Sequence, residues 1–201
     1  MATEHKHPVI FTGENPGLTL HAPGENRAVA AASYWRCTYS EAGEGNALII
    51  WYAGAGGTPT RAIYADNAAL GRFVTDTLTQ HFGDFKGHGF ADIAPTPARF
   101  FQESDSRRYH RVACHADGRI IELVWRDVLD RQQVIGSQRV IGPRSFELAT
   151  VICPCSAASI TVDGRAIPGE VRVRTDDGGR PGSSAFLAFA ESWVDNGPAG
   201  A

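Results

Sequence analysis

The segment between Arg108 and Asp127 brings together residue types that could bind a ligand or move a proton. Its sequence, RYHRVACHADGRIIELVWRD, contains two histidines, a cysteine, a tryptophan, several arginines and carboxylates around one Asp-Gly pair. Asp-Gly pairs favour two-residue hairpin turns because both residues tolerate a positive φ. The segment therefore predicts two antiparallel strands joined at Asp117-Gly118.

A two-residue turn also predicts which side chains share a face of this hairpin. Arg108 then lies opposite Asp127 and His110 opposite Trp125, all on one face, because alternate residues of a strand point the same way. Nearer the turn the same face is apolar and consists of Val112, Leu123, Cys114 and Ile121. A wall that is apolar at one end and polar at the other is typical of a barrel with a ligand cavity. A three-residue loop would shift every pair and could reverse the faces.

The polar end of this face has the residues for acid–base chemistry. Asp127, diagonal to His110, could orient the imidazole, and a histidine held in this way can act as a general base near neutral pH. Arg108 could bind an anionic substrate group or a developing oxyanion. The alternative interpretation is structural, since an Arg–Asp cross-strand pair and a His–Trp contact are ordinary features of strands.

The same hairpin does not provide a metal site by itself. His110 and Cys114 share a face but lie four residues apart, about 13 Å along a strand, whereas metal–ligand bonds are about 2 Å long. Cys153 and Cys155 form a close pair, but the second pair that a zinc site usually needs is missing. We expect neither a metal nor a cofactor, and we interpret these two cysteines as small buried residues.

Tryptophans and one carboxylate in predicted strands are further candidates for lining a pocket. In AFLAFAESW, Glu191 faces the core if Leu187 and Phe189 do, and burial would then raise its pKa. The opposite phase of the strand leaves Glu191 exposed, and the sequence leaves both alternatives open. Large rings on a barrel wall either fill the core or line a pocket. In the second case the lining includes Trp35, Trp51, Trp125 and Glu191.

The elements that must position these residues are mostly strands. Runs of β-branched and aromatic residues alternate with short turns about every ten residues. This spacing predicts an all-β fold, mostly an antiparallel β-barrel, with a β-sandwich as the second choice. Residues 1–26 are rich in Pro, Gly and Asn and are predicted to form an irregular arm, and residues 27–196 a single barrel-like domain.

One amphipathic helix interrupts the strands at about residues 67–82. Apolar residues recur there at steps of three and four, which is the period of one helix face. Asp66 is the predicted N-cap, because its carboxylate can accept hydrogen bonds from amides of the first turn. Gly83 is placed to end the helix. We expect the apolar face to pack against the sheet.

Charge and composition exclude several classes of partner. The formal net charge is −3 and arginines are interleaved with acids, so binding to nucleic acid through phosphates is disfavoured. No apolar run approaches the roughly 20 residues needed to cross a bilayer, and the first residues lack the apolar stretch of a secretion signal. We therefore expect a cytoplasmic protein without a membrane partner.

These observations lead to three hypotheses about function. The first is a cofactor-independent enzyme of the lyase, isomerase or cyclase type, in which His110 moves a proton of a small hydrophobic metabolite held inside the barrel. Asp127 and Arg108 would assist, and Trp125 would form part of the wall. The second is a carrier or sensor barrel that binds such a molecule without catalysis. The third is an interaction module that assembles as a homo-oligomer through exposed strand edges.

Overall fold

Strands make up most of the residues that the computed structural model describes, which are residues 8–54, 58–105 and 108–199. The strands are β1 (Val9–Glu14), β2 (Gly17–His21), β3 (Ala28–Ser40), β4 (Gly45–Ala53), β5 (Pro59–Ala65), β6 (Thr96–Pro97), β7 (Arg99–Asp105), β8 (Tyr109–Ala116), β9 (Arg119–Val128), β10 (Gln132–Ile141), β11 (Arg144–Val162), β12 (Arg165–Ala166), β13 (Val173–Thr175), β14 (Pro181–Ser183) and β15 (Ala185–Pro198). The predicted all-β barrel with one short helix is confirmed.

The wall of the barrel is built almost entirely from antiparallel pairs. β1 and β2 lie end to end between β3 and β15, so that these four strands form a closed ring of pairings. The wall continues from β3 through β4 to β5, and from β15 through β11, β9 and β8 to β7. The two ends of the wall are linked by one stretch of chain. In that stretch, β6 pairs in parallel with β5, and β7, which follows directly, pairs with β8.

Two apolar clusters occupy the two sides of this wall. The inner cluster draws residues from β2, β3, β4, β5, β8, β9, β11 and β15, and includes Leu18, Tyr34, Leu48, Leu123, Trp125 and Leu187. The outer cluster lies between the wall and the helix, and includes Phe11, Trp35, Ile49, Trp51, Leu70 and Trp193. Neighbouring residues such as Tyr34 and Trp35 thus belong to different clusters, because successive side chains of a strand point to opposite faces.

The helix α1 spans Ala68–Thr77, and a short 3₁₀ turn follows at Thr79–His81. It ends earlier than predicted, and its N-cap is Asn67, whose side chain accepts a hydrogen bond from the amide of Leu70. Asp66, the predicted N-cap, instead accepts from the backbone and side-chain nitrogens of Asn46 in β4. The apolar face packs in the outer cluster as expected. In the part of the chain that the structure describes, no helix has the length and apolar character to cross a membrane.

The prediction of an irregular arm over residues 1–26 is wrong for Val9–Glu14 and Gly17–His21, which are strands. β1 and β2 are both wall strands there, and Phe11 and Leu18 are fully or almost fully buried. The Pro16 that separates them has no amide hydrogen to donate, so the ladder breaks at this point while the chain continues in the same direction. Pairing with β3 and β15 overrides the turn-like composition of this segment.

The long β11 carries a proline, Pro154, in its interior. Pro154 lies where β11 changes partner, because β10 pairs with it up to Ile152 and β9 pairs with it from Cys155 onward. A missing ladder hydrogen bond is tolerated at such a junction. β11 therefore pairs with β10 before the proline and with β9 after it.

Candidate functional site

The hairpin of β8 and β9 has the register that its Asp-Gly turn predicts. His110 faces Trp125, and the remaining predicted pairs up to Ala116 and Arg119 at the turn are also formed. The ladder ends at Tyr109 and Arg126, one pair short of the predicted Arg108–Asp127 pair. Asp127 has a φ of 57°, which takes its backbone out of strand geometry.

Asp127 consequently does not orient His110. Its side chain is exposed, and among the residues that the structure describes the hydrogen-bond partner of the His110 ring is Gln102 on β7. The two Nε2 atoms lie 3.3 Å apart, and the same Gln102 nitrogen lies 3.0 Å from Oε2 of Glu14 on β1. Neither Gln102 nor Glu14 was predicted, because both lie on strands outside the hairpin.

The hydrogen bonds of Gln102 determine the protonation of the His110 ring. A carboxylate only accepts, so the atom that faces Glu14 is the amide nitrogen, which only donates. Nε2 of His110 therefore accepts, and the ring proton is on Nδ1. This Nδ1 is buried and has no hydrogen-bond partner among the described residues. Leaving a buried donor unpaired typically costs about 1–3 kcal/mol.

His110 is held in a largely apolar environment. It is 1% exposed, and its ring lies 5.6 Å from that of Trp125 and 5.8 Å from that of Phe189, measured between centroids. Burial lowers the pKa of His110, Glu14 partly offsets this and Arg36 adds to it. The imidazole is accordingly neutral at pH 7.

Two hollows share His110, Ser104 and Phe189 in their linings. The smaller has a volume of about 190 Å³, and its apolar lining includes Trp125, Val128, Val151 and Leu187. The larger is an open cleft of about 530 Å³ with a polar lining that includes Glu14, Arg36, Asn46 and Gln102. The buried histidine thus lies between an apolar hollow and a polar cleft.

Arginines are the charged side chains that dominate the lining of the apolar hollow. Arg108, for which anion binding is predicted, is among the lining residues, together with Arg126 and Arg131. Among the described residues of this lining, Asp105 is the one carboxylate. The hollow therefore has an apolar interior with an excess of positive charge around it.

Two of the three tryptophans predicted to line the pocket lie elsewhere. Trp35 is fully buried in the outer cluster, where its indole donates to the Thr79 hydroxyl at 2.9 Å. Trp51 is in the same cluster and stacks on His88, with ring centroids 4.0 Å apart. Trp125 lines the hollow, and its indole donates to the carbonyl of Gly17. The side chains of Trp35 and Trp51, like those of Ala31 and Ile49 on the same strands, face the outer cluster.

Glu191 is buried, but its strand has neither of the two predicted patterns of alternating inward and outward side chains. β15 contains a bulge between Phe189 and Ser192, in which Ala190 has a φ of 49°. The extra residue reverses the alternation, so Leu187 belongs to the inner cluster while Glu191 joins Ala188 on the outer side of the wall. Burial raises the pKa of Glu191 to about 7, although hydrogen bonds from Trp193 and Thr150 act to lower this pKa.

The cysteines and the other described residues that could bind a metal are not clustered as a metal site requires. Cys153 and Cys155 are buried, and burial raises the pKa of both thiols, that of Cys155 to about 12. Within residues 8–54, 58–105 and 108–199, no group of three or more His, Cys, Asp or Glu side chains is placed to hold a metal ion. Both thiols are buried, as the interpretation of these cysteines as small buried residues expects.

Comparison of the chain with protein-family models, with curated proteins and with solved structures gives no significant match. The geometry and electrostatics of these residues are therefore the features that indicate a function.

Proposed function

We propose that this barrel binds a small, largely apolar molecule that carries a hydrogen-bond acceptor, such as a carbonyl or carboxylate oxygen. The proposal depends chiefly on Nδ1 of His110, a buried donor that has no partner among the described residues and belongs to a residue lining a hollow. Buried donors are normally paired, and an acceptor on a bound molecule would supply the missing partner.

The surroundings of His110 support the same class of ligand. Trp125, Leu187 and Phe189 provide apolar contacts, and Arg108, Arg126 and Arg131 add positive charge to the same lining. An arginine fork pairs well with a carboxylate. A flat apolar acid fits both features.

The binding proposal is tested with 2-naphthoate as the probe, measured by isothermal titration calorimetry. His110→Phe keeps a ring but removes the donor, and we expect it to weaken binding about tenfold, as for one hydrogen bond to a charged group. His115→Phe, on the exposed face of the same strand, serves as the matched control and should leave binding unchanged. Equal binding by the His110 variant, or no binding to the natural sequence at millimolar probe, would contradict the proposal.

Catalysis in the same hollow is the second candidate, as a lyase, isomerase or cyclase without a cofactor. The observation that favours it is a neutral imidazole with its proton on Nδ1, in the same lining as Arg108, which suits His110 for donating a hydrogen bond to a developing oxyanion. The predicted role as a general base fits less well, because Nε2 already accepts from Gln102. Native mass spectrometry of the purified protein identifies any retained molecule. Fresh protein incubated with that molecule then yields a new species if the barrel is an enzyme, and none if it is a carrier.

We also propose that the protein acts in the cytoplasm. All four cysteines are free, although Cys153 and Cys155 are only two residues apart. Free thiols are typical of proteins from reducing compartments. Expression of the chain fused to a fluorescent reporter in its native host would show its location, and a periplasmic or extracellular signal would overturn this assignment.

A further inference from the structure

A second cavity lies on the outer side of the barrel wall, away from His110. It has a volume of about 310 Å³, and its mostly apolar lining includes Leu148, Ile152, Phe186 and Ala188 from the wall. The segment Phe82–Phe85, which follows the 3₁₀ turn, covers it from the other side. Its volume is at the lower end of the range for small-molecule pockets.

The ionisable groups in this cavity are carboxylates. Glu191 is 4% exposed, and the indole nitrogen of Trp193 donates to its Oε1. Asp84 belongs to the covering segment, and its Oδ2 accepts from the hydroxyl of Thr19 on β2. No lysine, arginine or histidine is among the described residues that line the cavity. A buried carboxylate without a cation is unfavourable, so the charge of this cavity is complementary to a cationic guest.

Aromatic rings add a second preference for a cation. Phe82, Phe85 and Phe186 all line the cavity. Organic ammonium ions are attracted to aromatic faces, more strongly where water is excluded. The same rings provide apolar contacts for the carbon skeleton of such a molecule.

We propose that the cavity at Glu191 binds a small organic amine, with an ammonium group paired to the Glu191 carboxylate and an apolar or aromatic body against the three phenylalanines. Asp84 adds negative charge at the covering segment. This site is independent of the ligand proposed for His110, because the two cavities lie on opposite sides of the wall and have no lining residue in common.

Three probes of similar size and different charge test this proposal by calorimetry at pH 8: 2-phenylethylamine, 2-phenylethanol and 3-phenylpropionate. We expect the amine to bind most tightly and the carboxylate least. Glu191→Gln keeps an acceptor for Trp193 and should weaken amine binding about 30-fold or more, the size of effect seen when one partner of a buried charge pair is removed. Binding of the neutral alcohol should not change.

The matched control is Glu147→Gln, an exposed carboxylate on β11 that should leave amine binding unchanged. His110→Phe should also leave it unchanged, which separates this site from the proposed function. If Glu191→Gln folds poorly, Asp84→Asn, at an exposed position, provides a second variant and should weaken the amine alone, by a smaller factor. Equal affinity for amine and alcohol, full amine binding by both variants, or no amine binding at millimolar probe would overturn the proposal.

Discussion

His110 and Glu191 are both buried, one on each side of the barrel wall, and burial shifts their pKa values in opposite directions. That of His110 is lowered and that of Glu191 is raised to about 7. In each case desolvation disfavours the charged form. The two groups therefore give the stability of the protein opposite dependences on pH, which separate experiments on each residue can distinguish.

His110 should make the protein less stable as the pH falls below about 6.5. Its pKa is lower in the folded state than the ordinary 6.5, so the unfolded chain binds the proton first. Its contribution is fully present above pH 6.5 and is lost as the pH falls through the folded-state pKa. Urea denaturation measures the free energy of unfolding at pH 7.5 and at pH 5. Its decrease between the two pH values should be smaller for His110→Gln than for the natural sequence. The exposed His115→Gln is the control, and an unchanged loss in His110→Gln would contradict this prediction.

Glu191 should have the opposite effect. Its folded-state pKa of about 7 lies above the ordinary 4.5, so the folded protein holds the proton more tightly. This contribution is present below pH 4.5 and is lost as the pH rises through 7. At pH 8 we expect Glu191→Gln to raise the free energy of unfolding by up to about 3 kcal/mol, from 1.36 kcal/mol per pKa unit. Guanidinium denaturation at pH 5 and pH 8 measures this, with Glu147→Gln as the control. If Glu191→Gln increases the free energy of unfolding no more at pH 8 than at pH 5, the carboxyl of Glu191 is not desolvated.

Trp125 should be one of the most sensitive positions of the inner cluster. It is fully buried, and its indole donates to the carbonyl of Gly17 at 3.0 Å. Trp125→Ala should lower the free energy of unfolding by about 3–5 kcal/mol, the usual cost of deleting a buried aromatic side chain. Ile135→Ala, at a position 73% exposed, should change it by less than about 0.5 kcal/mol. Similar losses in the two variants would mean that Trp125 is not part of a packed interior.

The bulge at Ala190 should tolerate glycine far better than neighbouring positions do. Ala190 has a φ of 49°, which costs an L-residue about 1–2 kcal/mol, and glycine escapes this cost. Ala188→Gly, in the same strand, removes a buried methyl group and gains no such relief. We expect Ala190→Gly to be more stable than Ala188→Gly by at least about 1 kcal/mol in urea denaturation. Equal stabilities would argue against the bulge, and with it against the placement of Glu191.

Several features could be predicted from the sequence because short-range chemistry determines them. The Asp117-Gly118 turn defines the register of its hairpin, and that register is enough to place His110 and Trp125 on the same face. The spacing of Leu70 and Val74 likewise identifies the apolar face of α1. Alternation along strands and helical periodicity are local properties, so they can be read along a single chain.

The tertiary structure alone decided what surrounds those residues. Gln102 joins His110 to Glu14 across strands that lie 88 residues apart in the chain, and no local pattern announces that contact. The bulge at Ala190, formed where β15 pairs with β11, moved Glu191 to the other side of the wall from Leu187. Pairing between distant strands also overrode the turn-like composition before Ala28. The physical reason is common to all three: strand pairing depends on which distant segments meet, whereas period and turn chemistry depend only on neighbours.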